Sequence, residues 1–357
     1  MKVKIVLGRI FTILHSWPDK YISWWGFDTL PKLNYASQKL RGEIYNNPDS
    51  IAKHWIKNYG IDGWRLDVPN EAGPNGQSND HSIWREFRQA VKSTNPNALI
   101  IGELWKDAQP WLQGDQFDGI MNYEGFADPV STYMNKGYTI ETTKREKIST
   151  TDFVLWLRSM LAKQPYQANL VMMNLLDSHD TSRFMYRTEG DEWRMYEAAI
   201  FQMTYVGAPM IYYGDEIGLT GAKDPDCRRT FNWNYSKDIH LPKLYAKLGQ
   251  VRSNNSALRR GTFETLLIDD KNEIFAYGRM DKKNKVAVIL NNTSSTKNVK
   301  LDVSKMGWGP GTILKDELNN TLLTPRTITV QKDITINLDV YGHYGAILIP
   351  VKEVTKR

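Results

Sequence analysis

Apolar residues recur along the first two thirds of the chain in two alternating spacings. Stretches with apolar positions three and four residues apart predict helices, and the short apolar runs between them predict buried strands. The predicted helices cover 48–60, 82–94, 151–163, 191–205 and a segment near 240–254. The predicted strands cover Ile61–Val68, Ala98–Leu104, Phe117–Asn122, Asn169–Asp177 and Ala208–Tyr213. This strand–helix alternation indicates a parallel sheet or barrel.

Beyond about residue 260 the spacing of the apolar residues changes. Short stretches separated by polar turns predict strands at Phe275–Arg279, Lys285–Asn291, Thr327–Val330, Ile334–Leu338 and Gly345–Pro350. Because no helical segments separate them, these strands indicate a small antiparallel β domain. A length of 357 residues accommodates one large domain and a smaller one of this kind.

Composition argues against several classes of protein. Apolar residues make up 41% and charged residues 24% of the chain, which is ordinary for a globular protein. The 46 basic residues are dispersed and the net charge is only +6, so a nucleic-acid partner is not expected. Cys227 is the single cysteine, which excludes an internal disulfide and a thiolate metal site. No apolar run could span a membrane, and Arg9 interrupts the one stretch that resembles a signal peptide, so we expect a cytoplasmic protein without a membrane partner.

Three acidic residues occupy matching positions at the ends of predicted strands. They are Asp67 in Gly-Trp-Arg-Leu-Asp, Glu103 in Ile-Ile-Gly-Glu-Leu-Trp and Asp180 in Leu-Leu-Asp-Ser-His-Asp. Carboxylates at the ends of successive parallel strands point into one shared mouth. Such a set suits cleavage of a glycosidic bond, which needs a nucleophile and a proton donor on opposite sides of the bond.

Local surroundings suggest a role for each acid. Arg65 lies two residues before Asp67 on the same strand, so both side chains face the same way and the guanidinium favours an ionised, nucleophilic Asp67. Glu103 follows an apolar run and precedes Trp105, surroundings that favour a protonated carboxyl group and therefore a proton donor. Asp180 follows His179 and could bind sugar hydroxyls and hold the ring distorted.

Two other interpretations of these acids are open. Each could be a surface carboxylate at the end of a strand, although three in matching contexts make coincidence a weak explanation. Together with His179, they are also plausible ligands of a hard cation. Nothing in the spacing, such as a His-x-x-x-His pair, requires a metal, so we expect none.

The same segments resemble motifs of the α-amylase family of glycoside hydrolases. Gly-Trp-Arg-Leu-Asp is similar to the family's fourth-strand motif, Gly-Glu-Leu-Trp to its fifth and Leu-Leu-Asp-Ser-His-Asp to its seventh. Residues 207–218 resemble its eighth strand, and Asp-Pro-Asp-Cys-Arg (224–228) resembles the loop beyond it. Leu-Pro-Lys-Leu-Asn (30–34) and Val-Pro-Asn-Glu (68–71) are typical of the subgroup of cyclomaltodextrinases, neopullulanases and maltogenic amylases. The resemblance runs from about Ser23 to the C-terminus.

Carried over to this sequence, the resemblance implies Asp67 as the nucleophile, Glu103 as the acid/base and Asp180 as the stabiliser of the transition state. It also implies that six further residues contact the substrate: Arg65 and His179 at the cleavage point, Asp224 and Arg228 on the non-reducing side, and Glu71 and Trp105 towards the leaving group.

Simpler roles stay open for several of these residues. Trp105 could be a core residue, and Asp224 and Arg228 could form a surface ion pair. Lys32 and Asn34, from the 30–34 motif, could simply fix the loop that leads into the barrel.

The resemblance also implies an incomplete fold. Asp67 would belong to the fourth of eight strands, yet too few residues precede it for three βα units of roughly 30 residues each. We therefore expect a (β/α)8-type barrel lacking its first three strands, plus a C-terminal antiparallel β domain. The expected divisions are an atypical N-terminal segment (1–22), a partial catalytic barrel with strands four to eight (23–258) and a C-terminal β-sandwich domain (259–357). Such a chain is a fragment of a longer enzyme, is completed by a second chain, or is a weakly active descendant.

The function that the resemblance implies is retaining hydrolysis of α-1,4-glucosidic bonds in cyclodextrins or maltooligosaccharides, with or without transglycosylation. The expected partner is an α-glucan oligosaccharide, and a homo-oligomer is open. No cofactor is expected: calcium occurs in the family, but the third-strand motif Asp-x-x-x-Asn-His, with its calcium-binding Asn, is absent. The alternative is a non-catalytic or inactive truncated remnant that binds carbohydrate.

Overall fold

The computed structural model describes residues 12–16, 20–135, 137–141, 143–144, 146–235, 240–318 and 326–351. The predicted N-terminal segment 1–22 therefore lies mostly outside the described residues. Every candidate site residue named above lies within them. No helix of the described part of the chain is both long enough and apolar enough to cross a membrane.

The helices and strands alternate through the first two thirds of the described chain. The α-helices are α1 (Gln38–Arg41), α2 (Ile51–Tyr59), α3 (Ser82–Thr94), α4 (Asp128–Met134), α5 (Thr150–Lys163), α6 (Tyr166–Asn169), α7 (Phe184–Arg187), α8 (Glu192–Thr204), α9 (Leu241–Asn254) and α10 (Ser256–Arg260). The strands are β1 (Leu14–Ser16), β2 (Lys20–Tyr21), β3 (Gly63–Leu66), β4 (Leu99–Gly102), β5 (Gly119–Ile120), β6 (Met173–Leu175), β7 (Ala208–Met210), β8 (Thr262–Asp269), β9 (Ile274–Met280), β10 (Lys285–Asn291), β11 (Lys297–Asp302), β12 (Ile313–Asp316), β13 (Arg326–Thr329), β14 (Thr335–Val340) and β15 (Tyr344–Pro350).

The five helices predicted from apolar spacing are confirmed as α2, α3, α5, α8 and α9. The five predicted parallel strands are also present, as β3 to β7, but each is shorter than the apolar run that predicted it. The prediction of a strand from Asn169 is wrong at its start, because that residue ends helix α6 and the strand covers only Met173–Leu175. A short apolar run indicates burial, but over a few residues it does not distinguish the end of a buried helix from a buried strand.

The described chain forms two compact units, and the first comprises the described residues up to 121 together with residues 163–172. Its sheet has the parallel order β3-β4-β5. The apolar face of α3 is buried in the core of this unit, as the spacing of Ile83, Phe87, Ala90 and Val91 predicts.

Gly63 fixes the register of β3 against β4. It pairs with Leu99, and Leu66 pairs with Gly102 at the other end of the ladder. A Cβ atom at Gly63 would lie 2.0 Å from the carbonyl oxygen of Leu99, so no other residue fits there. The register leaves Asp67 and Glu103 as the next residues beyond the paired strand ends.

The second unit comprises the described residues between 122 and 162 and those from 173 onwards. It contains the parallel pair β6–β7, in which Met173 pairs with Ala208 and Leu175 with Met210. Helix α8 is almost entirely buried within this unit. The aromatic rings of Phe126 and Phe153 pack against Phe201 of that helix.

The C-terminal part of the second unit is antiparallel, as predicted. One sheet has six strands in the order β13-β12-β15-β10-β9-β8, and a second sheet pairs β11 with β14. Residues from both sheets share one apolar core, which includes Ile289, Leu301 and Leu338. The sequence analysis missed strands β8, β11 and β12.

Candidate active site

Strand β3 and the loops that follow β3 and β4 bring an arginine and two carboxylates into contact in the first unit. Arg65 Nη1 forms an ion pair with Asp67 Oδ1. The other terminal nitrogen of the same guanidinium, Nη2, lies 3.0 Å from Glu103 Oε2. One arginine therefore binds both candidate reacting groups, and the prediction that Arg65 and Asp67 share a face is confirmed.

The two carboxylates differ sharply in exposure. The Asp67 side chain is 79% exposed, whereas that of Glu103 is 5% exposed. Glu103 also accepts hydrogen bonds from the Val68 backbone N–H at 3.0 Å and from Trp105 Nε1 at 3.1 Å. Its surroundings are thus a set of polar donors and not the apolar environment expected from the sequence.

The turn after Asp67 has an unusual backbone conformation. Val68 has a φ of 31°, in the left-handed region that β-branched residues rarely adopt. This conformation accompanies the hydrogen bond from Val68 N–H to Glu103. Strain of this kind costs about 1–3 kcal/mol and persists where the surrounding contacts fix it, commonly at functional sites.

Glu71 belongs to a separate polar cluster in the first unit. Its Oε2 atom lies 2.9 Å from Lys32 Nζ and accepts a hydrogen bond from Ser78 at 3.0 Å. The side chain of Asn34 accepts backbone hydrogen bonds from Ala36 and Asn75. Lys32 and Asn34 therefore tie the 30–34 segment to the loop after β3, which agrees with the simpler role left open for them.

The remaining candidates meet in the second unit. Arg228 Nη2 lies 3.2 Å from Asp180 Oδ1, and its Nε lies 2.6 Å from Asp224 Oδ1. His179 Nε2 lies 3.1 Å from Asp180 Oδ2. The Asp224–Arg228 ion pair is present, and Arg228 extends it to Asp180.

Two buried carboxyl groups lie near this cluster and were not recognised from the sequence. Asp177 follows β6 and Asp215 follows β7, and both are within 2% of complete burial. Burial raises the pKa of Asp215 well above its usual value, and the neighbouring charge of Asp177 raises it further. Burial also raises the pKa of Asp177, against the opposing charge of Arg187. In the sequence, both acids come shortly after an apolar run. Many exposed carboxylates also follow apolar runs, so this position does not identify a buried acid.

The structure thus brings the candidates together in two groups. Within the first unit, Arg65, Asp67, Glu103 and Trp105 contact one another, and Glu71 binds Lys32. Within the second, Arg228 forms ion pairs with Asp180 and Asp224, and His179 Nε2 contacts Asp180.

The described residues offer no group of three or more His, Cys, Asp or Glu side chains that could hold a metal ion. The donor sets therefore give no support to a bound calcium among them.

Comparison with known proteins assigns the chain to a family. The sequence profile described as "Alpha amylase, catalytic domain" matches residues 14–271. A cyclomaltodextrinase of Bacillus sp is 39% identical over 282 residues, covering 79% of this chain and 47% of that protein. Neopullulanase 2 of Thermoactinomyces vulgaris is 40% identical over 279 residues, covering 78% and 44%. A solved cyclomaltodextrinase structure has a TM-score of 0.78 at 34% identity, over 96% of this chain and 55% of that one.

The chain therefore belongs to the α-amylase family of glycoside hydrolases, with the family's TIM-barrel catalytic fold and a C-terminal antiparallel sheet. It spans about half the length of the curated relatives that it matches.

Proposed function

We propose that this protein hydrolyses α-1,4-glucosidic bonds of cyclodextrins or maltooligosaccharides with retention of configuration. The observation that carries the proposal is the single guanidinium of Arg65, which contacts both Asp67 and Glu103. A retaining glycosidase needs two carboxyl groups close together on opposite sides of one bond. The names of the cyclomaltodextrinase and neopullulanase relatives support this substrate class.

In the proposed reaction, the exposed Asp67 carboxylate attacks the anomeric carbon and forms a covalent glycosyl ester. Glu103 donates a proton to the departing oxygen and then removes one from the water that cleaves the ester. Glu103 already binds two N–H groups and Arg65, so its side chain is held in one orientation in both steps. The Arg65 guanidinium stays beside one negative carboxylate in both steps, because the charge passes from Asp67 to Glu103 when the ester forms and returns to Asp67 when water cleaves it.

The proposal extends to the other candidates. Asp180 stabilises the positively charged transition state, and His179 contacts the sugar at the cleavage point. Asp224 and Arg228 bind the neighbouring glucose, and both are about half exposed, which leaves them accessible to a sugar. Trp105 and Glu71 are assigned to the leaving-group side: the hydrogen bond from Trp105 to Glu103 supports this place for Trp105, whereas the ion pair of Glu71 with Lys32 ties Glu71 to the 30–34 segment.

We also propose that β3 to β7 are the fourth to eighth strands of the family barrel, within a catalytic region 23–258 that precedes a β-sandwich domain at 259–357. The parallel orders β3-β4-β5 and β6-β7 support this assignment. A cytoplasmic location stays a prediction from the sequence, and the oligomeric state stays open.

The proposed function is tested by incubating the purified 357-residue protein with a cyclodextrin and with maltoheptaose. We expect maltooligosaccharides, maltose or glucose, released first as the α-anomer in a proton NMR time course. An Asp67→Asn variant, which has no carboxylate nucleophile, should release none above background. Release of the β-anomer, or equal rates for the two proteins, would contradict the proposal. Binding of maltotriose in calorimetry without any turnover would favour the non-catalytic carbohydrate-binding alternative.

A further inference from the structure

A buried arginine lies behind the ion-pair chain of the second unit. The side chain of Arg183 is 0% exposed, three residues after Asp180. A buried guanidinium is costly unless its N–H groups are bound, and Arg183 has an unusual set of partners. It cannot touch a sugar in the solvent-facing part of the site, so its contribution must pass through other residues.

The partners of Arg183 come from separate segments of the second unit. Its Nε donates to the carbonyl of Cys227 at 2.9 Å, and its Nη1 donates to the carbonyl of Tyr213 at 2.7 Å. Nη1 also lies 3.4 Å from Asp215 Oδ1. The guanidinium carbon lies 4.2 Å from the centre of the Tyr212 ring, a stacking geometry that favours arginine over lysine.

Two further bonds connect the same segments. The backbone N–H of Arg183 donates to the carbonyl of Gly221 at 2.9 Å. Cys227 Sγ donates to the carbonyl of His179 at 3.2 Å. The loop of residues 221–228 is therefore attached to the turn of residues 179–183 at both of its ends.

This loop carries Arg228, whose side chain binds Asp180. The carbonyl that Arg183 binds belongs to the peptide bond between Cys227 and Arg228, so the contact fixes the backbone of Arg228 directly. Arg228 in turn binds both Asp224 and Asp180. Loss of the contact from Arg183 would release the loop end that aims Arg228.

We propose that Arg183 is a positioning residue for Asp180, Asp224 and Arg228. The expected effect of Arg183 on turnover rests on the proposed function, whereas its expected effect on the backbone of the 221–228 loop does not. A lysine at this position has one nitrogen centre and cannot reach the Cys227 and Tyr213 carbonyls with the same planar fork.

The test compares Arg183→Lys with Arg279→Lys in the full chain. Arg279 is a matched control because it is also 0% exposed and binds backbone carbonyls, those of Thr204, Gly261 and Thr262. None of these carbonyls belongs to the loop or to the candidate site. Both variants should lose stability to a similar degree, since each leaves buried carbonyls without a donor.

Only Arg183→Lys should change the loop and the kinetics. We expect faster amide hydrogen exchange across residues 221–229, a raised KM for maltooligosaccharides, and a fall in kcat/KM of about 100-fold, the effect of a displacement near 1 Å. A variant that merely folds less well would lower the apparent kcat and leave KM unchanged. Unchanged exchange in Arg183→Lys, or equal changes in both variants, would overturn the proposal.

A second variant covers the case in which Arg183→Lys does not fold, and hydrogen exchange covers the case in which the protein cleaves no glucan. If Arg183→Lys does not fold, Tyr212→Leu removes the stacking partner without disturbing the buried charge, and the same exchange and KM changes are expected with smaller size. Absence of those changes in a folded Tyr212→Leu protein would also overturn the proposal. If the wild type cleaves no glucan, the proposed function fails, whereas the hydrogen-exchange comparison still decides the role of Arg183.

Discussion

Glu103→Gln should lower the rate of cyclodextrin hydrolysis by about 10²–10⁴-fold, the usual contribution of a general acid–base catalyst. Glutamine keeps the shape of the side chain, but its single oxygen can take the place of only one of the two carboxylate oxygens that accept from Val68 N–H and from Trp105 Nε1. It cannot donate the proton that the departing sugar oxygen needs. The loss should be measured from initial rates at saturating and at low substrate.

A substrate that needs no proton on its leaving group sharpens this prediction. On α-glucosyl fluoride the first step should be much less sensitive to Glu103→Gln, because fluoride departs without protonation. Glu197→Gln is the matched control, since Glu197 is 0% exposed and lies against His343 instead of a candidate reacting group. Equal losses on cyclodextrin and on the fluoride would show that Glu103 acts in some other way.

Arg65→Met should affect both activity and stability, because one guanidinium serves two carboxylates. Glu103 is almost fully buried, and its Oε2 atom would lose the guanidinium that it contacts. Breaking a buried pair costs about 3–5 kcal/mol, and the 31% exposure of Arg65 reduces the expected loss to about 2 kcal/mol. We expect an activity loss of at least about 10²-fold, similar to removal of one donor from a charge-stabilising site.

A double-mutant cycle and a second arginine test this explanation. Adding Glu103→Gln to Arg65→Met replaces the buried carboxyl group that has lost its partner, so the double variant should recover part of the unfolding midpoint in urea. Arg88→Met is the control, because Arg88 is similarly half-buried and pairs with Asp118 in the same unit. It should lose stability and keep activity. If the two changes at 65 and 103 are simply additive in stability, the buried pair is not the cause.

Local features of the fold were predictable from the sequence, and long-range contacts were not. Helix α3 was predicted residue for residue because its apolar stripe follows one helical face. The pairing of Arg65 with Asp67 followed from strand alternation over two residues. In contrast, the contact between Arg65 and Glu103 spans 38 positions and depends on the register that Gly63 sets against Leu99.

The buried charges show a second limit of sequence analysis. Arg183 stands between Ser182 and Phe184, where an exposed arginine at the start of a helix would look the same. Its role becomes visible only when carbonyls from residues 213 and 227 are seen to converge on it. The sequence analysis also missed the π-helices at Gly42–Asn46 and Tyr123–Ala127. Their hydrogen bonds join residues five apart, so their side chains do not follow the spacing of an α-helix.

Covalent trapping of the nucleophile tests the central claim most directly. A fluorinated α-glucosyl fluoride that forms the glycosyl ester faster than the ester hydrolyses should accumulate on the protein. The account predicts that peptide mass spectrometry finds one added sugar, attached to Asp67, and that Asp67→Asn abolishes the label. A sugar attached to any other carboxylate, or a label that persists in Asp67→Asn, would contradict it.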